Sequence, residues 1–145
     1  MSVNEKMIDA SPQQVWEVLA DGWLYPLWVV GASRMRDVDE HWPQVGARLH
    51  HSVGVWPGLI NDNTEVLAAE PGRSLTLRAK GWPMGEAEVI LELEPVDGRT
   101  LVRIIEKPVK GPGVLVPQPL VDPMLKWRNV EALRRLAYIV EGRND

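Results

Sequence analysis

The sequence has 145 residues, 45% hydrophobic and 25% charged, the proportions of one globular domain able to bury a core without staples. Sixteen basic against twenty acidic residues leave a net charge of −4, which is not the electrostatic footprint of a nucleic-acid binder. The absence of cysteine removes disulfides, thiol nucleophiles and thiolate metal sites together. With no apolar leader segment and no apolar run of about eighteen residues, the expectation is a soluble, cytoplasmic domain over residues 1–145, without stable membrane insertion.

Val3 to Ile8 alternates and predicts a first strand. Ser11-Pro12-Gln13-Gln14 is a helix start, with serine as cap, proline in the first turn and glutamine three residues after the cap. Val15, Trp16 and Leu19 give this short helix its inward face, and Asp21-Gly22 stops it. Trp23 to Val30 is dense in apolar bulk but broken by Pro26, so it predicts a second short helix or turn packed as a plug.

From Ala32 the texture becomes strands separated by turn signals. Ser33–Asp39, Arg48–Val55, Leu59–Ala69, Ser74–Lys80, Glu86–Glu94 and Thr100–Val109 are the candidates. Glu86–Glu94 is the clearest, with Ala87, Val89, Leu91 and Leu93 facing one way and glutamates the other, the pattern of a half-buried antiparallel strand. Val96-Asp97-Gly98-Arg99 supplies a hairpin turn. Trp-Pro recurs at 42–43, 56–57 and 82–83, each time at a strand end, where proline stops the ladder and tryptophan caps the sheet.

Leu120 to Glu141 predicts one long helix, begun by Asp122 as cap and Pro123 at its first position. Val121, Met124, Leu125, Val130, Leu133, Leu136, Ala137 and Val140 form its apolar stripe. Such a stripe needs a large apolar partner, and a curved sheet is the one the rest of the chain offers.

This order, with the phrases SPQQVWEVLAD, YPLWVVG, EVLAAEPGRSLTLRAKG and ELEPVDGRTLVR, resembles the START/polyketide cyclase-like (SRPBCC) superfamily, and its polyketide cyclase/dehydrase-type members, over nearly the whole chain. The resemblance implies an α+β helix-grip fold: about seven curved antiparallel strands around a long C-terminal helix, with two short helices after the first strand. It further implies an apolar cavity between sheet and helix for lipids, polyketides or other hydrophobic molecules. It carries no catalytic signature, and fold alone does not decide function.

Candidate site residues follow from strand phase. Leu49, His51, Val53 and Val55 share a face, which sets His51 inside and His50 outside; neighbours on a strand point oppositely, so the pair cannot chelate one metal. An inward His51 suits general acid–base work near neutral pH, or is a hydrogen-bonded structural histidine; His50 takes its place if the phase is reversed. Ile60, Asp62, Thr64 and Val66 form the next inward set, with Asp62 either functional or, as its polar neighbours Asn61 and Asn63 favour, at the strand mouth. Thr100, Val102, Ile104 and Glu106 alternate, so Glu106 faces the helix, either for catalysis or for an ion pair with Arg128 or Lys126. The expected cavity lining is Trp28, Val53, Thr64, Leu77, Val89, Leu91, Val102, Ile104, Met124, Leu125 and Arg128, with His51 and Glu106 as catalytic candidates. Trp23, Tyr25 and Trp28 can stack on a planar ligand or simply pack, and Trp127 lines the pocket or faces the sheet.

Dinucleotide, P-loop, HExxH and GxSxG motifs are absent, three histidines do not suggest zinc, and a Rieske cluster would need two cysteines. No metal or cofactor is therefore expected. Three functions remain open: a binder of a hydrophobic small molecule, a polyketide cyclase/dehydratase-type enzyme using His51 or Glu106, and an interaction protein that forms a homodimer through a sheet edge.

Overall fold

A computed structural model describes residues 2–29, 32–53, 60–81, 85–110 and 118–143; at 32–34, 53, 60–62, 81, 85, 110, 118–122, 124 and 125 it describes the backbone only. The alternating stretches become seven strands: β1 (Ser2–Ile8), β2 (Ala32–Val38), β3 (Arg48–Val53), β4 (Ile60–Glu70), β5 (Ser74–Gly81), β6 (Gly85–Val96) and β7 (Arg99–Lys110). Between β1 and β2 stand α1 (Pro12–Leu19), a 3₁₀ turn (Gly22–Leu24) and α2 (Tyr25–Trp28), and the chain closes with α3 (Gln118–Gly142). All strands pair antiparallel in the order β1-β7-β6-β5-β4-β3-β2, a curved sheet gripping α3.

Local chemistry explains the punctuation. Ser11 Oγ accepts from the Gln14 amide at 3.2 Å and Gln14 Oε1 accepts from the Ser11 amide at 2.8 Å, the reciprocal box that starts α1. Asp97 and Gly98 both take positive φ, 49° and 80°, as a tight β6–β7 hairpin with right-handed strand twist requires. Strand β4 slips register between Val66 and Ala68, so Ala69 rather than Ala68 packs inward beyond that point.

The core lies between the sheet and α3. Ile8, Leu49, Val66, Leu75, Leu91 and Val102 come from the strands, and Leu133, Leu136 and Val140 from the helix. At the far end of α3 the Asp9 amide donates to Glu141 at 2.9 Å, tying the close of β1 to the close of the helix.

Three sequence expectations about α3 need correction. The helix begins at Gln118, so Asp122 is not its cap and Pro123 lies inside it. Pro123 is exposed, and what it forgoes is the one hydrogen bond to the carbonyl four residues back. Val130 is 48% exposed and Trp127 66% exposed, so neither belongs to the buried stripe. At about 100° per residue that stripe runs through Asn129, Ala132, Leu133, Leu136, Ala137 and Val140, and Val130 and Trp127 fall outside its arc. Of the three Trp-Pro pairs, 56–57 and 82–83 lie outside the described residues. Trp42 is buried, and its Nε1 donates to the Leu19 carbonyl at 3.2 Å, joining the β2–β3 connection to α1.

Candidate functional site

The helix-facing side of the sheet is apolar along most of its length, through Leu49, Val66, Leu75, Leu77, Leu91, Leu93, Val102 and Ile104. Within it sit polar side chains that burial would penalise unless they were paired. His51 on β3, Thr64 on β4 and Glu106 on β7 are each at most 5% exposed. Ser2 and Asn4 on β1 and Asn129 on α3 are buried with them.

One group centres on Thr64. His51 Nε2 and Thr64 Oγ1 are 2.9 Å apart, and the Tyr25 hydroxyl lies 3.3 Å from the same oxygen. A threonine hydroxyl has one proton and two lone pairs, so it can serve both neighbours at once. The imidazole also stacks on the Tyr25 ring, with centroids 5.8 Å apart and planes inclined by 21°. Trp28 meets Tyr25 edge-on at 5.4 Å and 70°. Tyr25 reaches this position because the chain before it presses on the sheet. Asp21 Oδ1 accepts from the Trp23 amide at 3.2 Å, and at Gly22 an added Cβ would come within 2.5 Å of Leu49 and 2.8 Å of Val38. Burial pushes the Tyr25 phenol above its ordinary range; its bond to Thr64 opposes this, the Glu106 charge adds to it, and the Arg128 charge again opposes it.

The second group centres on Glu106, which takes both its oxygens to Arg128 Nη2. The carboxylate side chain is 7% exposed and the arginine 33%, so the pair spans from the interior towards solvent. Ser2 stands opposite Glu106 in the β1–β7 register, and Asn4 Nδ2 donates to Ser2 Oγ at 3.1 Å. The charges on Glu106 and Arg128 both act on the Tyr25 phenol, so the two groups share one electrostatic neighbourhood.

The strand phase read from the sequence is the one found: His51 points inward and His50 does not. His50 Nε2 is 2.9 Å from Asp39 Oδ1, half-buried at the far side of β3. That contact and the Arg48 amide hold the Asp39 carboxyl below its ordinary value. Trp28, Thr64, Leu77, Leu91, Val102 and Ile104 are buried as expected, and Val89 is half-buried against the core. Of the two partners weighed for Glu106, Arg128 is the one that makes the ion pair. The side chains of Val53, Asp62, Met124 and Leu125, and Trp56 and Trp82, lie outside the described residues. Trp23 is 56% exposed and Trp127 66%, which removes both from the inner face.

Ser2, Asn4 and Asn129 were not among the sequence candidates. Period two counted back from Ile8 reaches Asn4 and Ser2, and four residues back from Leu133 reaches Asn129. Their polarity masked positions that spacing alone marks as inward. A separate open groove of about 630 Å³ runs between α1 and the β2–β3 connection, past Trp16, Glu17, Trp23, Glu40 and Trp42. None of the inner-face polar residues lines it.

The architecture recurs among solved structures. A protein from Rhodobacter sphaeroides superimposes with a TM-score of 0.73 at 22% identity, over 97% of this chain and 91% of its own. Ara h 8.0201 gives 0.69 at 11% identity, over 97% and 96%. DynU16, a protein in the dynemicin biosynthetic locus, gives 0.69 at 23% identity over 97% of this chain, which spans 46% of it. Identities this low establish the shared helix-grip fold. No curated protein matches the sequence. Among the described residues no helix is long and apolar enough to cross a membrane. Residues 2–141 match the polyketide cyclase / dehydrase and lipid transport family, and the chain belongs to it.

Proposed function

We propose that the chain, acting as one domain over residues 1–145, binds a hydrophobic, lipid- or polyketide-like small molecule between the inner face of the sheet and α3. The observation that carries this reading is the distribution of polarity on that face. Apolar side chains cover most of it, and two paired polar groups are set into it, Tyr25–Thr64–His51 and Glu106–Arg128. Apolar walls with a few convergent polar groups are the usual make-up of a small-molecule site, the walls supplying affinity and the polar groups orientation. Membership of a family described by polyketide chemistry and lipid transport supports the same ligand class. Native mass spectrometry of protein purified from its host is expected to show a co-purifying hydrophobic molecule. A clean unliganded spectrum, with no thermal shift across a panel of fatty acids and aromatic polyketides, would refute the reading.

A second reading is a polyketide cyclase/dehydratase, favoured by one observation: His51 is held at Nε2 by the bond to Thr64 and across its ring face by the stack on Tyr25. A positioned imidazole can take a proton from the acidic carbon between two carbonyls. The enolate carbon so formed attacks a ketone carbon of the same chain, and the proton returns to the resulting alkoxide. Tyr25 is the titratable group against the imidazole, and Glu106, held by Arg128, is the carboxylate on the same inner face. His51→Gln separates the two readings, because glutamine can keep a bond to Thr64 but cannot shuttle a proton. Simple binding predicts ligand affinity little changed and no turnover in either protein. Catalysis predicts turnover in the wild type, reduced by about 10²-fold or more in the variant.

A further inference from the structure

Asn129 occupies the inner stripe of α3, one turn before Leu133, and is 5% exposed. Among the described residues nothing accepts a hydrogen bond from its Nδ2. Two contacts fix what it faces. The Asp9 amide meets Glu141 at one end of α3, and Arg128 meets Glu106 towards the other, where Glu106 stands opposite Ser2. Asn129 follows Arg128 directly and so lies on the turn of α3 that carries the Glu106–Arg128 pair, towards the Ser2 end of β1. Ser2, Asn4, Glu106 and Arg128 satisfy one another, Asn4 bonding Ser2 and Arg128 bonding Glu106. The Asn129 amide stands apart from that network.

A buried N–H without an acceptor is a cost that a leucine at the same position would not carry. We infer that Asn129 is a ligand-recognition residue, donating from Nδ2 to a carbonyl oxygen on the polar end of the bound hydrophobic molecule. This assignment rests on the ligand-binding reading above and narrows it to a class. The Arg128 charge is taken up by Glu106, while Lys6 stands two residues from Asn4 on the same face of β1. A ketone, ester or amide oxygen can accept the bond from Asn129.

The test uses two probes of nearly the same shape, 2-acetonaphthalene and 2-isopropenylnaphthalene, in which a methylene replaces the carbonyl oxygen, titrated into the full ¹⁵N-labelled chain and followed by NMR. The wild type is expected to bind the ketone about five-fold or more tightly than the hydrocarbon, the effect of one added hydrogen bond, with the Asn129 side-chain amide signal moving for the ketone alone. In Asn129→Leu the two dissociation constants should converge while the hydrocarbon binds as before. Asn129→Ala, which adds no bulk, provides the same comparison should leucine disturb folding. An equal preference for the ketone in wild type and variant, or no preference in the wild type, would overturn the assignment and leave the binding reading standing. Failure of both probes to bind the wild type would overturn both.

Discussion

At the scale of single residues, the Glu106–Arg128 pair makes an asymmetric prediction. Glu106 is the buried partner and Arg128 keeps a third of its side chain in contact with solvent. Arg128→Met strands a carboxylate inside and is expected to cost about 3–5 kcal/mol. Glu106→Gln leaves a guanidinium that water still reaches, so its cost should be clearly smaller. Urea unfolding at neutral pH of both variants decides this, and equal costs would contradict the burial argument. Tyr25 makes a prediction in pH. Its folded pKa lies above the ordinary 10.0, so the neutral phenol is favoured in the fold. The stability this contributes is fully present below pH 10.0 and is lost as pH rises from there through the folded value. Tyr25→Phe, which also loses the bond to Thr64, should therefore show a shallower fall in stability above pH 10.0 than the wild type. The inward turn of His51 and Glu106 was legible in the sequence, since apolar neighbours two residues away on each strand set the phase. Asn129, Asn4 and Ser2 were not, because a polar residue on a buried face looks, by composition, like one on the wet face.

At the scale of elements, α3 carries the core. Leu136 is fully buried at the centre of its stripe. Leu136→Ala is expected to cost about 2–5 kcal/mol, while Leu136→Asp, which places a charge in the core, should not fold at all. Circular dichroism with thermal melting checks both, and a near-normal melt for the aspartate variant would contradict the packing described here. On the opposite side, Glu131 bonds Arg134 and Arg135 one turn along, which holds its carboxyl down to about 2. Strand extents were legible to within a few residues because alternation and turn residues agree. The start of α3 was misread for a definite reason. Asp122-Pro123 is a good local start signal, but an exposed proline inside a long helix forgoes one hydrogen bond, and the remaining ladder carries the helix past it.

At the scale of the whole molecule, the sheet is least regular at its β2 edge, where the β2–β3 register shifts twice. Its middle, β5 to β7, is paired on both sides and faces the core. Hydrogen exchange should therefore protect amides of β5, β6 and β7 longest and those of β2 least, and protection highest in β2 would contradict this ranking. Hairpin pairing from β2 to β7 could be read from short turns between consecutive strands. The docking of β1 beside β7 could not, since no local signal links residues about a hundred positions apart. The meeting of Tyr25, His51, Thr64, Glu106 and Arg128 on one inner face is equally illegible as an assembly, because it draws on five separate elements.

That distant pairing bears on when the fold can close. β1 has β7 as its neighbour in the sheet, and the Asp9–Glu141 contact joins residues 132 positions apart. On a ribosome the first strand would emerge early and wait unpaired through the synthesis of everything between. The grip of the sheet on α3 is thus completed only after residues as far as Glu141 have emerged, with β1 held in waiting until then.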